Sequence, residues 1–231
     1  MTVPDALCVP EIPGAWYAIA PFSDPDPALL TTDERMLFEQ LSGSHRPREW
    51  FAGRLAGRGA LRAVGAGATS ILRDERGAPL LYGPHANHAM VALTHGQSFA
   101  AAIAIPKAAP YPHIGIDWVD ARDGARLERL STRFLTSSER ELSTRDPNIR
   151  LVCWGVREAA AKATLTGMFA FGLSRVWLTR IDPGLEHPTI NLPGARATVR
   201  WQPDGAALIM VGLDHHAFDS ARNLHADPVS K

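Results

Sequence analysis

The stretch that decides the fold is residues 151–167, LVCWGVREAAAKATLTG. Asp146, Pro147 and Asn148 stand before it and Gly167 closes it, the punctuation of a helix start and stop. Leu151, Trp154 and Val156 give it apolar surface, and the Ala-rich middle has high helix propensity. On such a helix Glu158 and Lys162 lie about one turn apart on one face. That spacing alone also describes an ordinary solvated pair, contributing about 0.2–0.5 kcal/mol. A second carboxylate changes the reading, and GIDWVD at 115–120 supplies it. Ile114–Val119 reads as a short strand with Ile116 and Trp118 on one face and Asp117 and Val119 on the other. One carboxylate from a strand and one from a helix suit a hard cation such as Mg²⁺, which keeps waters and works with substrate phosphates.

Phosphates need cations nearby. Residues 46–76 carry Arg46, Arg48, Arg54, Arg58, Arg62, Arg73 and Arg76 against Glu49, Asp74 and Glu75. The whole chain is balanced, with 24 Lys+Arg and 24 Asp+Glu, so no bulk charge points to nucleic acid or an anionic membrane. A basic cluster in a neutral protein fits a small anionic ligand instead. Arg46–Val64 reads as a helix on which Arg54, Arg58 and Arg62 form one stripe. The stripe fits a solvated face, and it also fits phosphate, for which Arg offers permanent, bidentate contacts.

The remaining 231-residue pattern reads as α+β. Ala15–Ala20 reads as an edge strand and Leu29–Leu41 as a helix capped by Thr31 or Thr32 with help from Glu34. Ile71–Leu72 and Leu80–Tyr82 flank a turn at Asp74–Pro79. Met90–Leu93 and Phe99–Ile105 read as strands joined by the turn Thr94-His95-Gly96-Gln97. After a linker at Pro106–Pro112 come the strand at Ile114, a helix over Leu127–Leu135 and a short helix to Leu142 capped by Ser137 or Ser138. Val176–Ile181, Ala197–Trp201 and Ala206–Val211 read as antiparallel strands, and the last dozen residues as a frayed end. The expected halves are residues 1–112 and 113–231. Cys8 and Cys153 show no metal spacing, and the 45% hydrophobic content contains no run of membrane-spanning length. With no signal-like start, the expectation is a cytoplasmic protein without membrane or nucleic-acid partners.

Six pieces, taken in order, resemble a known family. GIDWVD at 115–120 followed by WGVREAAAK at 154–162 is similar to the paired signature of the 4′-phosphopantetheinyl transferases. AGRLAGRGALR at 52–62, RGAP at 76–79, ALTH at 92–95 and RFLTSSE at 133–139 run in the same order as in that family. The resemblance implies a pseudo-dimer of two similar α/β halves, of the monomeric subclass that serves peptide and polyketide synthases. It implies transfer of the 4′-phosphopantetheine arm of coenzyme A to a serine of an acyl or peptidyl carrier protein, releasing adenosine 3′,5′-bisphosphate. Asp117 and Glu158 match the Mg²⁺ ligands, and Lys162 matches the helix lysine near the transferred phosphate. Thr94 and His95 match a pair that contacts coenzyme A phosphates. Arg48, Arg54, Arg58 and the loop beginning at Arg76 and Gly77 match the region that holds the 3′-phosphate and adenine.

Three positions depart from the family pattern: Val119 where many members carry an acid, Arg157 where a lysine precedes the helix glutamate, and Ala78 where a lysine often stands. Val119→Glu should then add a third carboxylate at the cation, while Asp120 should face the other way. The departure at Val119 also motivates an alternative, a module that binds coenzyme A or a carrier protein without transfer. Phe134, Leu135, Met168, Phe169 and Phe171 are either an apolar carrier-docking patch or core.

Overall fold

In each half one helix is capped by a threonine followed three residues later by a glutamate. The computed structural model describes residues 2–41, 46–75, 77–165 and 176–223 and divides the chain into two units, Met1–Pro112 and His113–Lys231. In the first unit four antiparallel strands, β1 (Leu7–Cys8), β2 (Trp16–Pro21), β5 (Ala89–His95) and β6 (Phe99–Pro106), lie in the order β1-β2-β6-β5. Helices α1 (Thr32–Glu39) and α2 (Pro47–Ala63) precede a hairpin of β3 (Ser70–Arg73) and β4 (Pro79–Tyr82). Phe51, Leu55 and Leu61 of α2 pack with the small side chains Ala20, Ala100, Ala102 and Ala104 of β2 and β6. Those alanines let a long helix lie close to the sheet.

The second unit repeats the plan. Strands β7 (His113–Val119), β10 (Ala195–Trp201) and β11 (Ala207–Leu213) form a sheet in the order β10-β11-β7. Helices α3 (Gly124–Phe134), α4 (Ser137–Arg145) and α5 (Asn148–Ala163) precede the short pair β8 (Leu178–Arg180) and β9 (Thr189–Ile190), and α6 (His215–Asn223) follows β11. The class is α+β. Helix α5 lies directly on β7 because both surfaces are stripped at the contact. A Cβ on Gly115 would overlap the Ala159 carbonyl, and one on Gly155 would run into Ile209.

The recurring threonine–glutamate device ties these elements together. Thr31 accepts from the Glu34 N–H, and the Glu34 carboxylate accepts from the Thr31 N–H. The same carboxylate, fully buried, takes the Ile71 N–H of β3 at 2.9 Å and the Arg58 guanidinium of α2. In the second unit Thr136 and Glu139 form the matching box. The buried Glu139 carboxylate takes the Leu178 N–H of β8 at 2.9 Å and the Arg157 guanidinium of α5 at 2.8 Å and 3.1 Å. Arg157 also donates to the Cys153 carbonyl at 2.8 Å. Burial works to raise the Glu139 carboxyl, but the Arg157 charge and the N–H donors outweigh it and hold it below its ordinary value.

Several expectations shift. The strand at Ala15–Ala20 is not at an edge, since β1 and β6 flank it. Thr31, not Thr32, caps α1, so the helix starts later than Leu29. Thr136, not Ser137 or Ser138, caps α4. Thr94 and His95 belong to β5 rather than to the turn, because the pairing to Ala101 and Ala100 continues through them. Phe134 and Leu135 are 1% and 6% exposed and belong to the core, not to a docking patch. Gly167, Met168, Phe169 and Phe171 lie outside the described residues. The arginine stripe of α2 is solvated only at Arg62: Arg54 is buried, and Arg58 is committed to Glu34.

Breaking a buried pair leaves an uncompensated charge, so Arg157→Met should cost about 3–5 kcal/mol in urea unfolding at neutral pH. Because the Glu139 carboxyl is depressed, its contribution is present above the ordinary value of 4.5 and is lost as pH falls through the lower folded value. The gap between wild type and Arg157→Met should therefore close as pH falls below about 4.5.

Candidate functional site

Strand β7 and helix α5 place the sequence-derived trio together. Gly115, Asp117 and Val119 alternate onto the face of β7 that α5 covers. Asp117, 8% exposed, receives the Lys162 ammonium on Oδ1 at 2.8 Å. The same Nζ donates to the Ile116 carbonyl at 2.9 Å. Glu158 sits one turn before Lys162, half-buried beside Asp117. Its carboxyl is pushed up by burial and then by the Asp117 charge, with Lys162 and Arg126 pulling the other way. Arg126 comes from α3, paired with Asp123 at 3.2 Å. Asp120 belongs to a different neighbourhood. Burial and the charge of Asp123 raise it, Asp204 adds to this, and a hydrogen bond from Trp118 opposes it.

This donor set fits a hard divalent cation. The Asp117 charge stands close enough to disfavour ionisation of Glu158, and a cation relieves that repulsion. Among the described residues no group of three or more His, Cys, Asp or Glu is placed to hold a metal. The protein donors would thus be Asp117 and Glu158, with water and ligand oxygens filling the remaining positions, as Mg²⁺ tolerates. Val119 does share the face of Asp117, but it is 1% exposed and packed beside Gly155. A glutamate there would enter the core, so the expected third carboxylate has no open route to the cation.

The first unit carries a separate pocket of about 460 Å³ along α2, β3 and the end of β5. Arg46, Arg54, Arg73, Thr94 and His95 line it, with Trp50, Glu49 and Gly77. Glu49 organises its mouth, meeting His95 Nε2 at 2.9 Å and Arg46 at 3.2 Å. Arg54 lies over the Trp50 ring at 4.0 Å and donates from Nε to the Ile71 carbonyl at 3.1 Å. Burial lowers its guanidinium to about 10, so it stays charged at neutral pH. Of the residues picked from sequence, Arg54, Gly77, Thr94 and His95 meet here. Arg48 pairs instead with Asp24 at 2.6 Å, Arg58 holds Glu34, and Arg76 lies outside the described residues. In the sequence Arg46 and Arg73 stand out only as members of the basic cluster, and Trp50 reads only as apolar surface on the helix.

Residues 33–105, which contain the whole arginine pocket apart from its flanks, match the 4′-phosphopantetheinyl transferase N-terminal domain. That match spans 73 of the 231 residues. Among solved structures, a Helicobacter pylori holo-acyl-carrier-protein synthase in complex with coenzyme A is 23% identical. The match covers 42% of this chain and 96% of that one, with a TM-score of 0.34. No curated protein matches the chain. The two candidate sites belong to different units, and the matched segment covers the one with the arginines.

Glu158→Gln tests the electrostatics. A raised carboxyl favours the protonated form, so the stability it offers is full below 4.5 and is lost as pH rises through the higher folded value. The neutral variant should therefore match wild type in acid and melt a few degrees higher at neutral pH, about what a change near 1 kcal/mol produces. Thermal unfolding across that range would show the gap opening from 4.5 upward.

Proposed function

We propose that this protein is a Mg²⁺-dependent transferase that moves the 4′-phosphopantetheine arm of coenzyme A onto a serine of an acyl or peptidyl carrier protein. The observation that carries the reading is Asp117, Glu158 and Lys162 gathered by one strand and one helix. In the reaction the serine oxygen bonds to the phosphorus that bears the pantetheine arm. The bond from that phosphorus to the bridging oxygen breaks, the hydroxyl proton leaves, and adenosine 3′,5′-bisphosphate departs with the electron pair.

Asp117 and Glu158 hold the cation together with water and the pyrophosphate. Bound there, Mg²⁺ supplies positive charge to the pyrophosphate oxygens. The Lys162 ammonium adds charge at the transferred phosphate or moves a proton there. Positioning and charge are most of what phosphoryl transfer asks of a protein. Arg46, Arg54, Arg73 and His95 serve the 3′-phosphate, with Thr94 as a further donor, and Trp50 offers an aromatic face to adenine. Arg58 acts behind them by fixing α1 through Glu34. The two internal units support the monomeric subclass that serves peptide and polyketide synthases. Among the described residues no helix is long and apolar enough to cross a membrane.

A second reading, a module that binds coenzyme A or a carrier without transfer, draws on the buried Val119 in place of an acid. Intact mass of an apo carrier protein after incubation with coenzyme A and Mg²⁺ separates the two. The enzyme adds one phosphopantetheine; coenzyme A binding with an unchanged carrier mass supports the second reading. Asp117→Asn and Glu158→Gln should each lower turnover by about a hundredfold or more, as loss of a preorganised charge contact does. Undiminished transfer by either variant would remove the metal assignment.

Arg73→Ala should act on binding alone. Removing one charge-assisted contact should raise the Michaelis constant for coenzyme A about tenfold with little change in kcat. Dephospho-coenzyme A, which lacks the 3′-phosphate, should bind the variant and wild type alike. Equal losses for both substrates would show that Arg73 does not read that phosphate.

A further inference from the structure

We infer that Lys162 is a latch on the cation site: its ammonium and an incoming divalent cation compete for Asp117, and loading the cation releases the lysine toward the phosphates. The inference rests on the reading of Asp117 and Glu158 as cation ligands. It deepens that reading by giving the site an order of events.

Three observations carry it. Lys162 Nζ lies 2.8 Å from Asp117 Oδ1, the carboxylate that a cation would need, and Glu158 stands one turn away on the same helix. The backbone on both sides is fixed. Asp117 and Ile116 are registered against Ile209 and Met210 of β11, and α5 packs directly on β7 at Gly115 and Gly155. The smallest adjustment therefore falls on the lysine stem, which is flexible and ends in a compact charge. Finally, the Lys162 side chain is 33% exposed whereas that of Asp117 is 11% exposed. The ammonium can swing into solvent or onto a phosphate; the carboxylate stays where it is.

Two positive charges drawing on one carboxylate pair oppose each other in two ways. The lysine occupies an oxygen, and its charge repels the cation. Both effects have the same sign. Free cation should therefore bind weakly, and a phosphate ligand that gives Lys162 another anion to hold should strengthen cation binding. By reciprocity the cation strengthens phosphate binding to the same extent.

The test uses the full chain with Mn²⁺ as the probe and no coenzyme A, reading free Mn²⁺ by electron paramagnetic resonance. Lys162→Met should bind Mn²⁺ about tenfold more tightly than wild type, since both the competitor and its charge are gone. Lys162→Arg, which keeps the charge, should show no such gain. Equal or weaker Mn²⁺ binding by Lys162→Met, in a variant whose thermal unfolding is intact, would overturn the latch. A second readout needs no substitution at the lysine. Labelling of Lys162 by an amine-reactive reagent, mapped by mass spectrometry, should speed up in wild type on adding Mn²⁺. In Asp117→Asn it should be fast with or without the ion. Labelling in wild type that ignores saturating Mn²⁺ would also overturn the inference. If Asp117→Asn binds Mn²⁺ as well as wild type does, the cation-site reading itself falls and takes the latch with it. Transfer to a carrier protein is measured separately, so failure of the latch and failure of the proposed activity remain distinct.

Discussion

A buried glutamate carboxylate facing an arginine is the interaction on which both halves depend. Each glutamate closes a capping box, accepts a strand N–H and neutralises a guanidinium on the long helix behind it. One side chain thereby joins three elements. A carboxylate without its arginine would be an isolated charge in an apolar interior, a cost of several kcal/mol. That penalty makes the arrangement specific, because a helix shifted by one turn would strand both charges. In the second unit it is what seats α5, and α5 delivers Glu158 and Lys162 to the strand that bears Asp117.

The two arginines also give a natural register for comparing the halves. Matching Arg58 with Arg157 places Gly59 opposite Glu158 and Ala63 opposite Lys162. At those two positions the first unit carries no carboxylate and no ammonium, and Gly59 is pressed against the Pro4 carbonyl and Ala18 instead. The same register sets Arg54 opposite Cys153. Arg54 opens onto the arginine pocket, whereas Cys153 is buried against Glu139 with its thiol pushed up by burial, inert and apolar in character. One scaffold thus carries the arginine pocket in one copy and the Asp117–Glu158 carboxylate pair in the other. The division follows from which side chains flank a shared arginine.

The sequence revealed the parts of this that rest on local chemistry. Strand alternation put Asp117 and Val119 on one face, helical spacing put Glu158 over Lys162, and the structure keeps both relations. The two-residue strands β1 and β9 and the helix α6 carry little periodic signal, so they escaped, whereas β8 lies within the strand expected at Val176–Ile181. Thr136 was hidden because two serines follow it, each an acceptable cap on its own. The roles of Arg58 and Arg157 were out of reach for a different reason. Nothing local shows that an arginine on a helix will meet a glutamate 24 residues earlier in one case and 18 in the other. Spacing also could not tell that Val119, on the correct face, would be enclosed by Gly155 and Ile209.

The central claim is that the carboxylates of β7 and α5 hold a cation against the pyrophosphate of coenzyme A. Phosphorus magnetic resonance of coenzyme A with substoichiometric protein and Mn²⁺ tests it most directly, because the ion broadens the nuclei it touches. The pyrophosphate signals should broaden with wild type, and the protein-dependent broadening should vanish with Asp117→Asn and with Glu158→Gln. Broadening that survives both substitutions would place the cation elsewhere and contradict the account.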